Sequence, residues 1–367
     1  MENQPNPDKP SALREIPGAE SQHPVNLEMA KKIAGMRQLP SAGELIDGIF
    51  KADRAMLSRA ITLAESSNPQ DFERATEVIS ACMPRSGKSV RVGITGVPGV
   101  GKSTFIEALG LTLIGMGKRV AVLAVDPSSS VSKGSILGDK TRMQELVREP
   151  NAYIRPSPSG ENLGGVARKT REAVILCEAA GFDVILIETV GVGQSETAVS
   201  SMTDFFLLLK ITGAGDELQG IKRGIMELAD AVVINKADGG NLTKARLARS
   251  EFSRALHFFP PRENGWQPKA LTCSSANREG ITQIWEMIDG FVREMTATGD
   301  FAKKRAGQNR YWMLESIHSS LQSEFFNHPK VQAMLNELEP RVANGSLSPF
   351  TAARQLLDVY SATRQSS

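Results

Sequence analysis

A phosphate-binding loop is predicted by the segment Gly96-Val97-Pro98-Gly99-Val100-Gly101-Lys102-Ser103-Thr104. It follows an apolar run over 90–95 that predicts a strand, and a helical pattern comes after it, which is the context that such a loop requires. Glycines allow backbone N–H groups to converge on the α- and β-phosphates. Lys102 reaches the β- and γ-phosphates, and the Ser103 hydroxyl can bind Mg²⁺. Because the positive end of the following helix points at the same phosphates, we predict a nucleotide site here.

The base of the nucleotide is predicted from Asn235, Lys236 and Asp238, which follow an apolar run over 231–234. That position is the carboxyl edge of a strand, where open α/β sheets bind ligands. A carboxylate there accepts hydrogen bonds from N1–H and N2–H₂ of guanine, and leaving it unpaired against adenine costs ~1–3 kcal/mol or more. The pattern therefore predicts GTP. The alternative is ordinary turn chemistry, because Asp238 precedes Gly239-Gly240.

Two further carboxylates, Asp126 and Glu188, each follow an apolar strand pattern. Mg²⁺ prefers oxygen ligands and is commonly held by one or two carboxylates, so we expect both acids to bind it together with Ser103. Lys102, Asp126 and Glu188 are accordingly the predicted catalytic residues. Each acid could instead cap the helix that follows it.

A switch segment is predicted over 189–197, directly after Glu188. Gly191 lies at a distance along the chain that lets its backbone N–H reach a γ-phosphate, and Gln194 belongs to the same segment. A backbone contact of this kind is lost when the γ-phosphate leaves, which is how such segments change order.

Alternating strand and helix patterns extend over 85–290 and predict a mostly parallel, doubly wound α/β sheet. Residues 41–84 are expected to form an antiparallel helix pair, and the proline-rich residues 1–40 a disordered leader. Residues 291–367 are predicted to be helical and to pack on a partner or on a second copy of the chain. The predicted strands are 89–95, 119–126, 152–156, 182–189, 205–212, 231–236 and 269–274.

The composition of the chain argues against some classes of binding partner. With 43 basic and 41 acidic residues the net charge is +2, which gives no reason to expect binding to nucleic acid or to an anionic membrane. Cys82, Cys177 and Cys273 are widely spaced and are expected to be buried, reduced thiols, which suits a cytoplasmic protein. No apolar run approaches the ~18 residues that a membrane-spanning helix needs.

Four longer segments together resemble the methylmalonyl-CoA mutase-associated GTPases, the MeaB/ArgK-type G-protein chaperones. This family belongs to the SRP/MinD/BioD (SIMIBI) branch of P-loop GTPases, and the chain is also similar to the human mitochondrial methylmalonic aciduria type A protein. The resemblance extends over about 41–330. The four segments are Asp126-Pro127-Ser128-Ser129-Ser130, Gly138-Asp139-Lys140-Thr141-Arg142-Met143, 188–196 and 215–224.

The resemblance implies a homodimeric GTPase that docks on an adenosylcobalamin-dependent acyl-CoA mutase. There it would gate loading of the cofactor and protect or reactivate the enzyme, and a cobalamin adenosyltransferase is a further candidate partner. The chain has no Asp-x-His-x-x-Gly motif, so adenosylcobalamin is expected to bind the client only.

The resemblance also implies roles for individual residues. The family's phosphate and Mg²⁺ contacts match Lys102, Ser103, Asp126 and Glu188, and its guanine contacts match Asn235, Lys236 and Asp238. The segment Ser274-Ser275-Ala276 resembles the loop that touches guanine O6. Asp139 lies in one switch, while Asp216 and Lys222 lie in a further switch that couples the nucleotide state to the mutase.

One departure from the family pattern and two alternative functions remain. Gly160-Glu161 stands where most members carry Arg-Gly, which puts in doubt any contact that the arginine makes. A metal-delivery GTPase of the nickel-insertase type would need soft or imidazole ligands, but the four histidines are scattered. A kinase linked to amino-acid transport would need a base beside an acceptor pocket, and no such base is evident.

Overall fold

The computed structural model describes residues 40–66, 68–125, 143–156, 163–189, 195–212, 223–260 and 262–364. Its centre is a seven-stranded sheet in the order β3-β2-β4-β1-β5-β6-β7, and every neighbouring pair is parallel. The predicted doubly wound α/β architecture is therefore confirmed. The strands are β1 Val90–Gly96, β2 Val120–Val125, β3 Ala152–Arg155, β4 Val184–Thr189, β5 Phe205–Lys210, β6 Ala231–Ile234 and β7 Lys269–Thr272.

Helices connect the strands and extend the chain at both ends. Short 3₁₀ turns occur at Met83–Arg85, Leu146–Arg148 and Gly239–Asn241. The helices are α1 Ala42–Phe50, α2 Arg54–Glu65, α3 Pro69–Cys82, α4 Lys102–Gly115, α5 Leu163–Ala179, α6 Ser195–Ser200, α7 Arg223–Leu228, α8 Leu242–His257, α9 Ile281–Thr298, α10 Asp300–Phe326, α11 Pro329–Ala343 and α12 Pro349–Arg364.

The central strands are buried on both faces because helices cover the sheet on both sides. Every residue of β2, β4 and β5 is buried. Successive side chains of a strand point to opposite faces. Ala121 and Leu123 pack in a core with α1, α2, α3 and α5, whereas Val120 and Val122 pack in a second core with α4 and α9. Two-sided burial explains why these strands are continuous apolar runs rather than alternating ones.

The N-terminal region differs from the expectation, because residues 42–82 form three helices instead of a pair. The helical spacing of apolar residues continues across the break between α1 and α2, so the pattern alone does not reveal it. Ala52 adopts a left-handed backbone (φ 60°), and the Asp53 carboxylate caps α2 by accepting from the backbone N–H groups of Ala55 (2.7 Å) and Met56 (3.2 Å). The two helices then meet at Gly48, where a Cβ atom would lie 2.4 Å from Cγ of Met56.

The topology gathers several strand ends around β1. β1 pairs with β4 on one side and with β5 on the other, and Glu188 of β4 is in register with Ile94 of β1. After β1 the chain continues to β2, which lies beyond β4 in the strand order. After β4 it continues to β5, which lies in the opposite direction, beyond β1. Loops therefore diverge at the carboxyl edge here, which is where doubly wound sheets form ligand crevices.

From residue 281 onward the described chain is helical and forms α9 to α12. The first half of α10 packs against α5 and α9, and Trp312 is buried there. Its second half carries exposed apolar residues, and α11 and α12 form a small separate core around Val331 and Leu338. Within the described ranges, no helix is long and apolar enough to cross a membrane.

Candidate nucleotide-binding site

The phosphate loop turns sharply between β1 and α4, and two glycines make that turn possible. Gly96 has φ 154°, and a Cβ there would lie 2.6 Å from the Leu209 carbonyl oxygen of β5. Gly101 has φ 92°, and a Cβ there would lie 2.9 Å from Nδ2 of Asn235. A side chain at either position would therefore strain the backbone and collide with a neighbouring element.

Lys102 begins α4, so its ammonium group and the first backbone N–H groups of the helix face the loop. Its Nζ atom donates to the carbonyl oxygens of Gly96 (2.8 Å) and Val97 (3.4 Å). The first four N–H groups of a helix have no partner within it, and the helix dipole adds positive potential. The start of α4 thus presents a cation and oriented N–H donors at one point, which suits a polyphosphate.

Glu188 and Ser103 lie next to each other at the carboxyl edge of the sheet. The Ser103 hydroxyl donates to Oε1 of Glu188 at 3.5 Å, and Glu188 is only 5 % exposed. Beside them the Thr189 hydroxyl donates to that of Thr95 at 2.8 Å, which joins the ends of β4 and β1. A buried carboxylate beside a hydroxyl is an oxygen donor set that fits Mg²⁺. Asp126, the third expected ligand, lies outside the described residues.

The base-recognition residues leave the end of β6. Asn235 is 1 % exposed and its Nδ2 donates to the Val100 carbonyl at 2.9 Å, while Nζ of Lys236 donates to the Gly99 carbonyl at 2.9 Å. Lys236 adopts a left-handed backbone (φ 57°), which ends the strand two residues earlier than the sequence predicts. Both side chains thereby tie this segment directly to the phosphate loop, as the predicted site requires.

The loop after β7 completes the same site. The Ser274 hydroxyl donates to Oδ2 of Asp238, while Oδ1 of Asn235 accepts from the backbone N–H (3.2 Å) and hydroxyl (2.7 Å) of Ser275. Ala276 follows on the exposed side of this loop. The structure thus brings together the two segments that the sequence assigns to guanine, and it orients the Asp238 carboxylate.

Several supporting contacts were not anticipated from the sequence. The Cys273 thiol donates to Oδ1 of Asn235 at 3.4 Å, and burial raises the pKa of this thiol to about 12, so it remains a protonated donor. Nδ2 of Asn241 donates to the Lys236 carbonyl at 2.7 Å, and Lys210 is 2 % exposed at the end of β5. No local spacing marks Cys273, because its partner lies in a distant part of the chain, and the contact of Asn241 with nearby Lys236 depends on the irregular turn after β6.

The residues predicted to act as switches are not among the described ones. Asp139, Gly191, Gln194, Asp216 and Lys222 all lie outside the described residues, so their roles stay predictions. Pro98 and Thr104 are exposed members of the phosphate loop and its helix. Every other described residue that the sequence assigns to the nucleotide lies at this one edge of the sheet.

Comparison with known proteins identifies the family. The model of the family described as "Methylmalonyl Co-A mutase-associated GTPase MeaB" matches residues 57–330, which include every described nucleotide motif. This chain belongs to the MeaB family. The resemblance stated from the sequence motifs is thereby confirmed.

Individual relatives of the MeaB chain agree with this placement. "GTPase ArgK" of Escherichia coli is 46 % identical, with 85 % of this chain and 95 % of the relative covered. "Methylmalonic aciduria type A homolog, mitochondrial" of Mus musculus is 47 % identical over 86 % of this chain and 79 % of the relative. A crystal structure of "LAO/AO transport system kinase" is 40 % identical, covers 87 % of this chain and 97 % of its own, and superposes with a TM-score of 0.70. This MeaB chain is a P-loop GTPase.

Proposed function

We propose that this MeaB GTPase is a chaperone of an adenosylcobalamin-dependent acyl-CoA mutase of the methylmalonyl-CoA mutase type. It gates loading of the cofactor and protects or reactivates the client. The observation that carries the proposal is the family-model match over 57–330, because that family is named for its association with the mutase. The name of the mouse relative, which refers to methylmalonic aciduria, points the same way.

Different residues of the site have different roles during GTP hydrolysis. Asp238, oriented by Ser274, accepts from the Watson–Crick edge of guanine, and Asn235 keeps the base segment attached to the phosphate loop. Lys102 and the start of α4 stabilise charge on the phosphates, since fixed donors in a preorganised site need no reorganisation during reaction. Ser103, Glu188 and Asp126 would hold Mg²⁺, which supplies further neutralisation of phosphate charge.

The proposal includes the segments that transmit the nucleotide state. The segment 189–197 responds to the γ-phosphate, and the segment that contains Asp216 and Lys222 couples that response to the mutase. The first segment continues into α6 and the second into α7. Both helices pack on the sheet, so a change in either segment would reach the body of the domain. Adenosylcobalamin binds the client alone, and a cobalamin adenosyltransferase is a further candidate partner.

A homodimer and a cytoplasmic location complete the proposal. The second half of α10 exposes Leu314, Ile317 and Leu321, which recur on one face of the helix and would be covered by a second copy. The three cysteines are buried free thiols, which is compatible with a reducing compartment.

GTP hydrolysis measured with and without purified methylmalonyl-CoA mutase tests the proposal. We expect the mutase to bind the GTP-loaded protein and to change its hydrolysis rate several-fold. In the Lys222→Ala and Asp216→Ala variants we expect GTP affinity to stay within about threefold, a change below ~1 kcal/mol, while the effect of the mutase is lost. No binding and no rate change with the wild-type protein would refute the chaperone role.

Nucleotide titration separates this role from a kinase. The structural relative described as a transport-system kinase would suggest ATP use, whereas the Asp238–Ser274 pair favours guanine. We expect GTP to bind at least about a hundredfold more tightly than ATP, because the Asp238 carboxylate would face adenine without a hydrogen-bond donor.

A further inference from the structure

The outer face of α8 is strongly basic. This helix carries four basic residues, Lys244, Arg246, Arg249 and Arg254, against one acid, Glu251, and all five are exposed. Across the ranges that the structure describes, none of the four basic side chains forms an ion pair or a hydrogen bond. The other face of α8, with Ala245, Phe252 and Leu256, is buried in the core with β6 and β7.

Two large apolar side chains lie among these charges. Leu247 is 60 % exposed and Phe258, at the C-terminal cap of α8, is 90 % exposed. At 100° per residue, positions 247, 254 and 258 fall on the same side of the helix, so Arg254 lies between the two apolar groups. Exposed aromatic and aliphatic groups within a charged surface are typical of protein–protein contact sites.

A cavity of about 670 Å³ adjoins the C-terminal end of this face. Met226, Leu256, Phe259 and Trp266 supply apolar walls, and His257 lies at the junction with α8. Its walls are fixed by hydrogen bonds: the Trp266 indole N–H donates to the Asp230 carbonyl at 3.0 Å, and Arg262 forms an ion pair with the Asp230 carboxylate. Glu227, Arg262 and Glu263 also line the cavity, so its lining is mixed, and its apolar walls can accept an anchoring side chain.

We propose that the outer face of α8, defined as Arg246, Leu247, Arg254 and Phe258, together with the adjoining cavity, docks an acidic surface of the client mutase. This inference rests on the proposed function. Carboxylates of the mutase would pair with Arg246 and Arg254, while Leu247 and Phe258 become buried and an apolar side chain of the mutase enters the cavity. Complementary charge guides the encounter, and the buried apolar groups supply most of the affinity.

A protein fits this surface better than a nucleic acid or a membrane does. The whole chain has a net charge of only +2, whereas nucleic-acid-binding domains carry a pronounced basic excess. Leu247 and the apolar cavity would contribute nothing to phosphate contacts. None of the four residues of this face contacts Lys102, Asn235 or Asp238 among the described hydrogen bonds, so we expect changes there to leave GTP binding intact.

Binding of purified methylmalonyl-CoA mutase to the GTP-loaded full-length protein at about 0.1 M salt tests this site. We expect the double variant Arg246→Glu/Arg254→Glu and the single variant Phe258→Ala each to weaken binding about tenfold or more, with basal GTP hydrolysis unchanged. Arg246→Lys/Arg254→Lys should retain most of the affinity. The matched control is Lys51→Glu/Arg59→Glu, an equal charge reversal at exposed residues near α1 and on α2, which should bind as the wild type does.

The outcomes separate this inference from the proposed function. If wild-type protein binds the mutase and both α8 variants bind equally well, the docking site is refuted while the chaperone role stands. If wild-type protein does not bind the mutase at all, both are refuted. Binding of the wild type, but not of the charge-reversal variant, to a DNA oligonucleotide or to vesicles with anionic lipids would assign the face to that other ligand and overturn the proposal.

Discussion

Asp238 is the residue that we predict to select the base, and its carboxylate is oriented by the Ser274 hydroxyl. We expect Asp238→Asn to weaken GTP binding by ~2–4 kcal/mol, because an amide cannot accept from both N1–H and N2–H₂ of guanine. The variant should gain affinity for xanthosine triphosphate, whose O2 can accept from the amide. Titration of both nucleotides measures the exchange. Ser274→Ala, which keeps the carboxylate, should lose less, and unchanged GTP affinity in Asp238→Asn would remove Asp238 from the base site.

Lys102 and Glu188 make separable contributions at the phosphate end. Lys102→Ala removes the cation that faces the loop carbonyls, and we expect turnover to be lost. Glu188→Gln keeps the shape of the side chain but removes its charge beside Ser103, so it should mainly raise the Mg²⁺ concentration needed for half-maximal hydrolysis. Hydrolysis rates across a Mg²⁺ titration measure both effects. Normal turnover of Glu188→Gln at limiting Mg²⁺ would contradict the metal assignment.

At the scale of single residues, the sequence predicts the motif residues of the site better than it predicts the residues that hold them in place. The motif residues of the phosphate loop and of the base segment are recognisable because their spacing along the chain is short and fixed. Cys273 and the pair Thr95 and Thr189 are not recognisable, because each contacts a residue that is distant in sequence. Such contacts depend on strand order, which the sequence pattern leaves open.

At the scale of secondary-structure elements, a buried ion pair connects α10 to the amino edge of the sheet. Arg305 donates to both oxygens of Asp204, at 2.9 and 2.7 Å, and to the Ser89 carbonyl at 2.6 Å. Asp204 is 1 % exposed, so removal of its partner leaves a buried charge. We expect Arg305→Ala to lower the free energy of unfolding by ~3–5 kcal/mol, measured by denaturant titration. Arg310→Ala, at an exposed position of the same helix, should change it little. Equal effects would mean that this ion pair does not secure α10.

A second buried pair in the same region gives a pH dependence. Burial alone would raise the pKa of Glu178, but hydrogen bonds and charge from Arg91, with donors from Ser89 and Gly87, lower it below its ordinary value. A lowered pKa stabilises the fold above the ordinary range near ~4.3, and this contribution is lost as the pH falls through the folded-state pKa. The difference in Tm between wild type and Glu178→Gln should therefore be largest near neutral pH and shrink below about pH 4.

The control for that experiment is Glu251→Gln, at an exposed acid on α8. We expect its Tm to follow that of the wild type across the same pH range. A Glu178→Gln difference that stays constant or grows in acid would contradict the stabilising role of the carboxylate.

The helices and strands show where the local sequence pattern is enough to predict secondary structure. All seven strands occur where the sequence predicts them. Burial on both faces explains the uninterrupted apolar runs of the central strands, whereas the edge strand β7 is only partly buried. The division between α1 and α2 escapes prediction because Lys51-Ala52-Asp53 contains neither glycine nor proline, and the turn depends on a left-handed alanine and on the Asp53 cap. Near the left-handed Lys236, β6 likewise ends two residues before the predicted end at residue 236.

For the whole molecule, the predicted nucleotide site, the proposed client face and the proposed dimer contact are formed by different elements. The nucleotide contacts lie at the carboxyl edge of the sheet, the proposed client face lies on α8, and the unpartnered apolar stripe lies on the second half of α10. Separate surfaces allow each function to be removed without the others. The apolar stripe on α10 gives the simplest test of this separation.

The stripe consists of Leu314, Ile317 and Leu321, which are 42 %, 46 % and 47 % exposed and recur on one face of α10. Burying such side chains contributes ~1.5–3 kcal/mol each, so placing charges on them should abolish association. We expect Leu314→Asp/Leu321→Asp to convert a dimer into a monomer in light scattering at micromolar concentration, with GTP affinity unchanged. Phe72→Asp, at a similarly exposed apolar residue of α3, is the control and should remain dimeric. A dimer that survives in the α10 variant would place the contact between copies elsewhere, and a monomeric wild type would refute the homodimer itself.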